Sequence, residues 1–442
     1  MKSEIPEKWR KARKEEAINA DYANFFGETM LPVGAEVIKK QYIRDLPILR
    51  TPDGTIVCIP KLEEQGLIVN VGQTGKGKTI SAGYLLGNIF YLWNDYIAIL
   101  NDSQNETFDW SEEQDVLEFV MKLRILGQTP IPLPMVYLLP HSDKYEISPE
   151  LLKEKSFVTI SVPFQEVMER LEKYLPDLGG SEKYLLTLKD KLIAAEDKEE
   201  MFEIIGSLSD ATKGMKEVKA KLVACFQNLL DEGILNLSSF ASPSSLRIGD
   251  ADLNPFVAIM KSECVPSFIT SDLYNQRYGD AIFSYYISEL FEASKSGAMK
   301  GKRVWLYFDE LTNVVHSNPQ HSKPETERAL SNIASRGRNN GISLIYATQR
   351  YAEIPKSIRS QTKFALIFRH KSMDEAKEIC NDFGISKNGK GEIMKLRKFE
   401  AIAATTEYFV CYKGNKKWPS SETFKGLVFP SMHRNKFLQK QV

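Results

Sequence analysis

Residues 72–79 run Gly-Gln-Thr-Gly-Lys-Gly-Lys-Thr, and this octapeptide restricts the chain more than any other stretch. It fits the spacing G-x-x-x-x-G-K-[ST], in which glycines let successive backbone N–H groups turn inward and cradle phosphate oxygens. The flanks fit too. Leu67-Ile68-Val69-Asn70-Val71 is a short, β-branched apolar run suited to a buried parallel strand. Ile80 to Trp93 is apolar nearly all round, as a helix packed on a sheet would be. A strand, a glycine-rich turn and a helix N-terminus together make an anion site. Gly72, Gln73, Thr74, Gly75, Lys76, Gly77, Lys78 and Thr79 are therefore the candidate nucleotide-binding residues. Lys78 is expected to reach the β- and γ-phosphates and Thr79 Oγ to ligate magnesium. Lys76 is an additional cation whose simplest place is solvent.

A second segment supplies acids. Val304-Trp305-Leu306-Tyr307-Phe308 ends in Asp309-Glu310, so a buried strand delivers two carboxylates to the sheet edge that carries the glycine loop. Asp309 is the candidate metal ligand and Glu310 the candidate general base for an attacking water. A third segment, Ile342 to Arg350, is an apolar strand ending Ala-Thr-Gln-Arg. Gln349, supported by Thr348, is placed to sense the γ-phosphate or position water. Upstream, Ser335-Arg336-Gly337-Arg338 offers two guanidinium groups. Arg336 and Arg338 are either arginine fingers for a neighbouring subunit or members of surface ion pairs. Arg350, Arg359 and Arg369 are weaker candidates for phosphate or DNA contact. No Asn-Lys-x-Asp follows, which favours ATP over GTP.

Composition narrows the class without naming a partner. The chain has 442 residues, 43% hydrophobic and 26% charged, with 58 basic and 58 acidic side chains. Any basic surface must then be local. Five separated cysteines without a C-x-x-C pair read as reduced, mostly buried thiols. The five histidines show no ligand spacing. The start, MKSEIPEKWRKARKEE, lacks a signal peptide's apolar run, and Tyr84 to Trp93 is shorter than the ~18 residues a membrane span needs. A cytoplasmic protein without membrane insertion is expected.

Five stretches follow from pattern: an arm with a short strand region (1–60), the first part of the core (61–146), a Lys- and Glu-rich helical insertion domain (147–254), the second part of the core (255–400) and a tail (401–442). Residues 2–50 are charged and partly helical. Thr51-Pro52-Asp53-Gly54 is a turn leading into a hairpin strand. In the insertion, Val167, Leu171, Tyr174 and Leu175 fall on one helical face, as do Val218, Leu222, Cys225, Phe226 and Leu229, with Gly233 as C-cap. Further strands are expected at Tyr96–Leu100, Val265–Thr270 and Phe364–Phe368, and a helix from about Gly279 to Ser294. Alternating strands and helices indicate an α/β fold with a doubly wound, mostly parallel sheet flanked by helices.

The order GQTGKGKT, LYFDE, ASRGRNNGISLIYATQR resembles the FtsK/HerA superfamily of P-loop ATPases over roughly residues 60–110 and 255–400. The resemblance implies a RecA-like core, ATP and Mg2+ as cofactors, and a homo-oligomeric, usually hexameric ring that pumps double-stranded DNA without regard to sequence. It also implies that Lys78, Thr79, Asp309, Glu310 and Gln349 act in one subunit's site and Arg336 or Arg338 in a neighbour's. HerA proteins carry a β-barrel before the loop, and chromosome translocases or coupling proteins usually carry membrane helices; neither pattern is evident here. A ring ATPase acting on protein fits the same motifs. A nucleotide-dependent docking switch fits less well, because a switch need not place a base beside Asp309.

Overall fold

The computed structural model of the chain describes residues 45–61, 66–102, 107–115, 119–120, 130–140, 155, 157–160, 162, 164–170, 182–195, 197–209, 211–231, 235, 255–269, 276–299, 301–318, 324–386, 388–414, 416–431 and 433. The basic cluster at Lys8–Lys14, the residues Leu171, Tyr174 and Leu175, and Gly233 lie outside the described residues.

Fourteen described strands make one sheet: β1 (Asp45–Arg50), β2 (Ile56–Pro60), β3 (Leu67–Val71), β4 (Tyr96–Asp102), β5 (Met135–Pro140), β6 (Phe157–Ile160), β7 (Val265–Ile269), β8 (Val304–Asp309), β9 (Ile342–Thr348), β10 (Thr362–Ile367), β11 (Glu400–Thr405), β12 (Phe409–Lys413), β13 (Lys416–Ser420) and β14 (Phe424–Val428). Their lateral order is β13-β12-β2-β1-β14-β11-β10-β3-β9-β8-β4-β7-β5-β6. From β10 to β6 every pairing is parallel. From β11 to β13 every pairing is antiparallel. The α/β expectation holds, and the sheet has a second, antiparallel half built from both ends of the described chain.

Period-two alternation explains why the parallel strands read as nearly continuous apolar runs. Leu67, Val69 and Val71 of β3 enter one apolar cluster, while Ile68 enters another on the opposite face. Val304, Leu306 and Phe308 of β8 divide from Trp305 and Tyr307 in the same way. A sheet buried on both faces needs apolar side chains at consecutive positions.

The described helices are α1 (Lys78–Asn88, running into a π-helical turn at Ile89–Trp93), α2 (Phe164–Glu169), α3 (Glu182–Ile193), α4 (Lys198–Gly206), α5 (Lys213–Asp231), α6 (Pro255–Lys261), α7 (Gln276–Lys295), α8 (Pro324–Arg336), α9 (Lys356–Arg359), α10 (Met373–Asp382) and α11 (Gly389–Lys395). Ala82, Leu85 and Leu86 of α1 pack on the face that carries Ile68. Leu222, Phe226 and Leu229 of α5 are buried in the other cluster, together with side chains of α3 and α4. The insertion helices therefore share the hydrophobic core of the sheet.

Three expectations need correcting. Residues 45–50, placed in a charged and partly helical arm, form β1, the partner of β2 across the Thr51–Gly54 turn. Residues 157–160, placed in a helical insertion, form β6 and extend the parallel sheet. Both strands take their stability from pairing, which local helical spacing does not report. The stretch after 400, read only as a tail, supplies four strands. All five cysteines are free; four are buried and Cys225 is half-buried. Among the described residues no helix is long and apolar enough to cross a membrane.

Ser431 and His433 lie over α1. A Cβ on Gly83 would lie 2.8 Å from Ser431 Oγ and 3.2 Å from His433 Nε2. Gln114 Nε2 donates to the carbonyls of Ser431 (3.3 Å) and His433 (3.0 Å), and Trp110 packs on the His433 ring at 5.2 Å. Burial pushes the fully buried His433 imidazole down to about 4 from an ordinary value of 6.5. The unfolded chain thus binds a proton that the folded chain refuses. Stability is complete above pH 6.5 and falls between pH 6.5 and 4. At pH 5 this histidine should cost about 2 kcal/mol relative to neutral pH. Urea unfolding at pH 7 and pH 5 should show that loss in the native chain and a smaller one, by about this amount, in His433→Gln.

Candidate active site

Parallel pairing brings the carboxyl ends of β3, β8, β9 and β10 to one sheet edge. The loop from Gly72 to Gly77 leaves β3 there, and α1 begins at Lys78. Gly72, Gly75 and Gly77 have φ of +154°, +72° and +123°. A Cβ on Gly72 would lie 2.6 Å from Phe368 Cβ. One on Gly77 would lie 3.0 Å from Phe368 Cε1 and 3.2 Å from Phe399 Cδ1. Two phenylalanines thus brace the back of the loop.

Backbone bonds hold the loop to three neighbouring segments. Gly72 N donates to Thr348 O (3.1 Å), Gln73 N to Arg369 O (3.0 Å), and Phe399 N to Lys76 O (3.0 Å). Asn70 Nδ2 donates to Ser81 Oγ (3.0 Å) and Lys78 O (3.3 Å), tying strand to helix beneath the loop. The buried Lys78 ammonium lies 2.7 Å from Gly72 O, folded across the cradle. Thr74 and Gly75 are exposed at the loop tip, while Gln73, Lys76 and Thr79 are half-buried.

Asp309 is buried at the end of β8, and Tyr307 OH donates to its Oδ1 at 3.3 Å. Asn101, buried on β4, donates from Nδ2 to the carbonyls of Asp309 (2.9 Å) and Glu310 (3.5 Å). The register shift between Ile99 and Asn101 in the β4–β8 pair accompanies that contact. Glu310 turns into the left-handed region, at φ +56°, a conformation that costs about 1–3 kcal/mol in a non-glycine residue. Its side chain crosses to β9. Oε1 accepts from Thr312 Oγ1 (2.7 Å), Thr348 Oγ1 (2.8 Å) and Gln349 N (3.0 Å), and Oε2 accepts from Gln349 N (3.1 Å). Oε1 is saturated with donors, and Oε2 is the oxygen with capacity to accept a proton.

The donor set suits magnesium bound through phosphate. Among the described residues, no group of three or more His, Cys, Asp or Glu could hold a metal by itself. A hydroxyl at Thr79 and a carboxylate at Asp309 are what a magnesium ion needs when phosphates and water supply its other ligands.

The remaining candidates separate by position. Arg336 ends α8 and is exposed, at the sheet edge where β9 begins. The length of β9, Ile342–Thr348, separates it from Thr348, a span of about 20 Å. The side chain of Arg338 lies outside what the structure describes. Arg350 pairs with Glu353 at 3.4 Å in solvent. Arg359, mostly buried, pairs with Glu378 (3.2 Å) and Asp382 (3.3 Å) and stacks on Tyr351. That ion network gives Arg359 its charge partners within the fold. Asn70, Asn101, Phe368 and Phe399 escaped sequence reasoning, because only tertiary packing sets Phe368 and Phe399 behind the loop, Asn101 against the acids and the Asn70 side chain against α1.

No family model matches the chain, and no curated protein matches it. Among solved structures it is similar to the bacterial conjugative coupling protein TrwB, at 13% identity over 88% of this chain and 90% of that one, with a TM-score of 0.49. TrwB is also described in complex with ADP and Mg2+. VirB4 of Thermoanaerobacter pseudethanolicus is 15% identical, covering 85% of this chain and 96% of that one, with a TM-score of 0.46. The genome packaging NTPase B204 from Sulfolobus turreted icosahedral virus 2 is 10% identical over 83% of this chain and 100% of that one, with a TM-score of 0.32. These likenesses are distant, so function is argued from the chain's own residues.

Gly72→Ala should lower stability by about 3 kcal/mol, because a methyl group meets Phe368 in a backbone shape made for glycine. Gly75→Ala, with open space around it, should cost about 1 kcal/mol. Chemical denaturation of the two variants measures the difference; equal losses would remove Phe368 as the constraint.

Proposed function

We propose that the chain binds ATP with magnesium in the 72–79 loop, hydrolyses it, and uses the cycle to move DNA as a ring of identical subunits. The observation that carries the catalytic part is the carboxylate of Glu310, aimed by Thr348 and Gln349 at the sheet edge that holds Lys78. Backbone N–H groups of Gly72 to Thr79 and the start of α1 hold the phosphates. Lys78 leaves the Gly72 carbonyl for the β- and γ-phosphate oxygens. Thr79 and Asp309 would hold the metal, which would supply positive charge to the phosphates. Glu310 Oε2 takes the proton of the attacking water, and Gln349 positions that water against the γ-phosphate.

Arg336 and Arg338 act in a neighbouring subunit's site, since the width of β9 separates Arg336 from its own. A ring, hexameric by resemblance, satisfies that need. DNA as the moved polymer rests on the motif order shared with DNA-pumping ATPases. Double-stranded DNA held through its backbone requires no sequence reading and gives salt-sensitive contacts. Such work belongs to the cytoplasm.

Steady-state ATP hydrolysis with and without double-stranded DNA tests both parts. DNA should stimulate turnover several-fold, less so as salt rises. Lys78→Ala should abolish it, and Glu310→Gln should lower kcat by about 10²–10⁴ while nucleotide still binds. Mixing inactive Arg336→Ala with inactive Lys78→Ala should restore part of the activity at mixed interfaces. Turnover that ignores DNA sinks the DNA assignment; Lys78-independent turnover sinks the site.

A further inference from the structure

We infer that Arg369 is a second phosphate-binding cation of the same subunit's loop, alongside Lys78, contacting the polyphosphate of the bound nucleotide; this rests on the nucleotide reading above. Arg369 leaves the end of β10, two residues past Ile367. Its carbonyl accepts from Gln73 N at 3.0 Å, so its backbone is fastened to the residue after Gly72. The residue is half-buried, and its Nε is buried without a hydrogen-bond partner. No described carboxylate forms an ion pair with it, whereas Arg350 and Arg359 each have theirs.

A guanidinium taken partly out of water without an anion is an uncompensated charge. It is relieved by whatever anion comes beside it, and its planar fork matches phosphate oxygens. The adjacent His370 supports the placement. It is buried, its Nε2 has no hydrogen-bond partner, and it lies near enough to Lys78 for that ammonium's charge to bear on it. Burial and Lys78 together push its imidazole down to about 4, so at neutral pH it adds no positive charge.

Titration of full-length protein with fluorescent N-methylanthraniloyl-ADP and magnesium tests the inference, with melting of the nucleotide-free protein as companion. Arg369→Ala should weaken binding about ten- to hundredfold, and Arg369→Lys less, since a point charge replaces the fork. Nucleotide-free melting temperature should stay level or rise, because an unpaired charge has gone. A merely structural arginine would instead lower the melting temperature and leave affinity within twofold of the native chain; either result overturns the inference. If the native chain binds and Lys78→Ala does not, an unchanged Arg369→Ala affinity removes Arg369 alone. If the native chain fails to bind, the nucleotide reading falls and takes this one with it.

Discussion

Parallel pairing of β10, β3, β9, β8 and β4 is the constraint on which the candidate site depends. Parallel strands end at one edge, so residues separated by hundreds of positions in sequence meet there without any long loop being ordered for the purpose. Gly72, Asp309, Thr348 and Arg369 are each the last residue of such a strand or follow it closely. The cost is a sheet buried on both faces, and the chain meets it with consecutive apolar residues in each strand and helices on either side.

Within that edge, polar groups are arranged by neighbours that are themselves held. Glu310 is aimed by β9, Asn101 of β4 fixes the two carbonyls beside the acids, and Asn70 of β3 ties the loop's helix to its strand. Buried networks of this kind are rigid when their donors and acceptors are matched. The left-handed backbone at Glu310 is therefore sustained by bonds on both its carbonyl and its carboxylate.

The antiparallel half serves the same edge from behind. β11 pairs with β10, and Phe399, just before it, both bonds to Lys76 and stops the back of Gly77. The segment through Ser431 and His433 closes over α1. The glycine loop and α1 are thus packed against segments that lie more than three hundred residues further along the chain.

Local sequence was enough for the strand–loop–helix at 67–88, for the acids at 309–310 and for the strand ending at Thr348, because periodicity and short spacings encode them directly. Which arginine faces what was not legible: Arg350, Arg359 and Arg369 look alike in sequence, and only their carboxylate partners, or the lack of them, tell them apart. Strands β1, β5 and β6 were missed for a related reason, since a short strand is stabilised by its partners more than by its own residues. Tertiary structure alone decided that the two ends of the described chain share half a sheet, that the insertion helices join the main core, and that Asn101 reaches Asp309. Each of these is a long-range contact, and no local pattern of residues carries its energy.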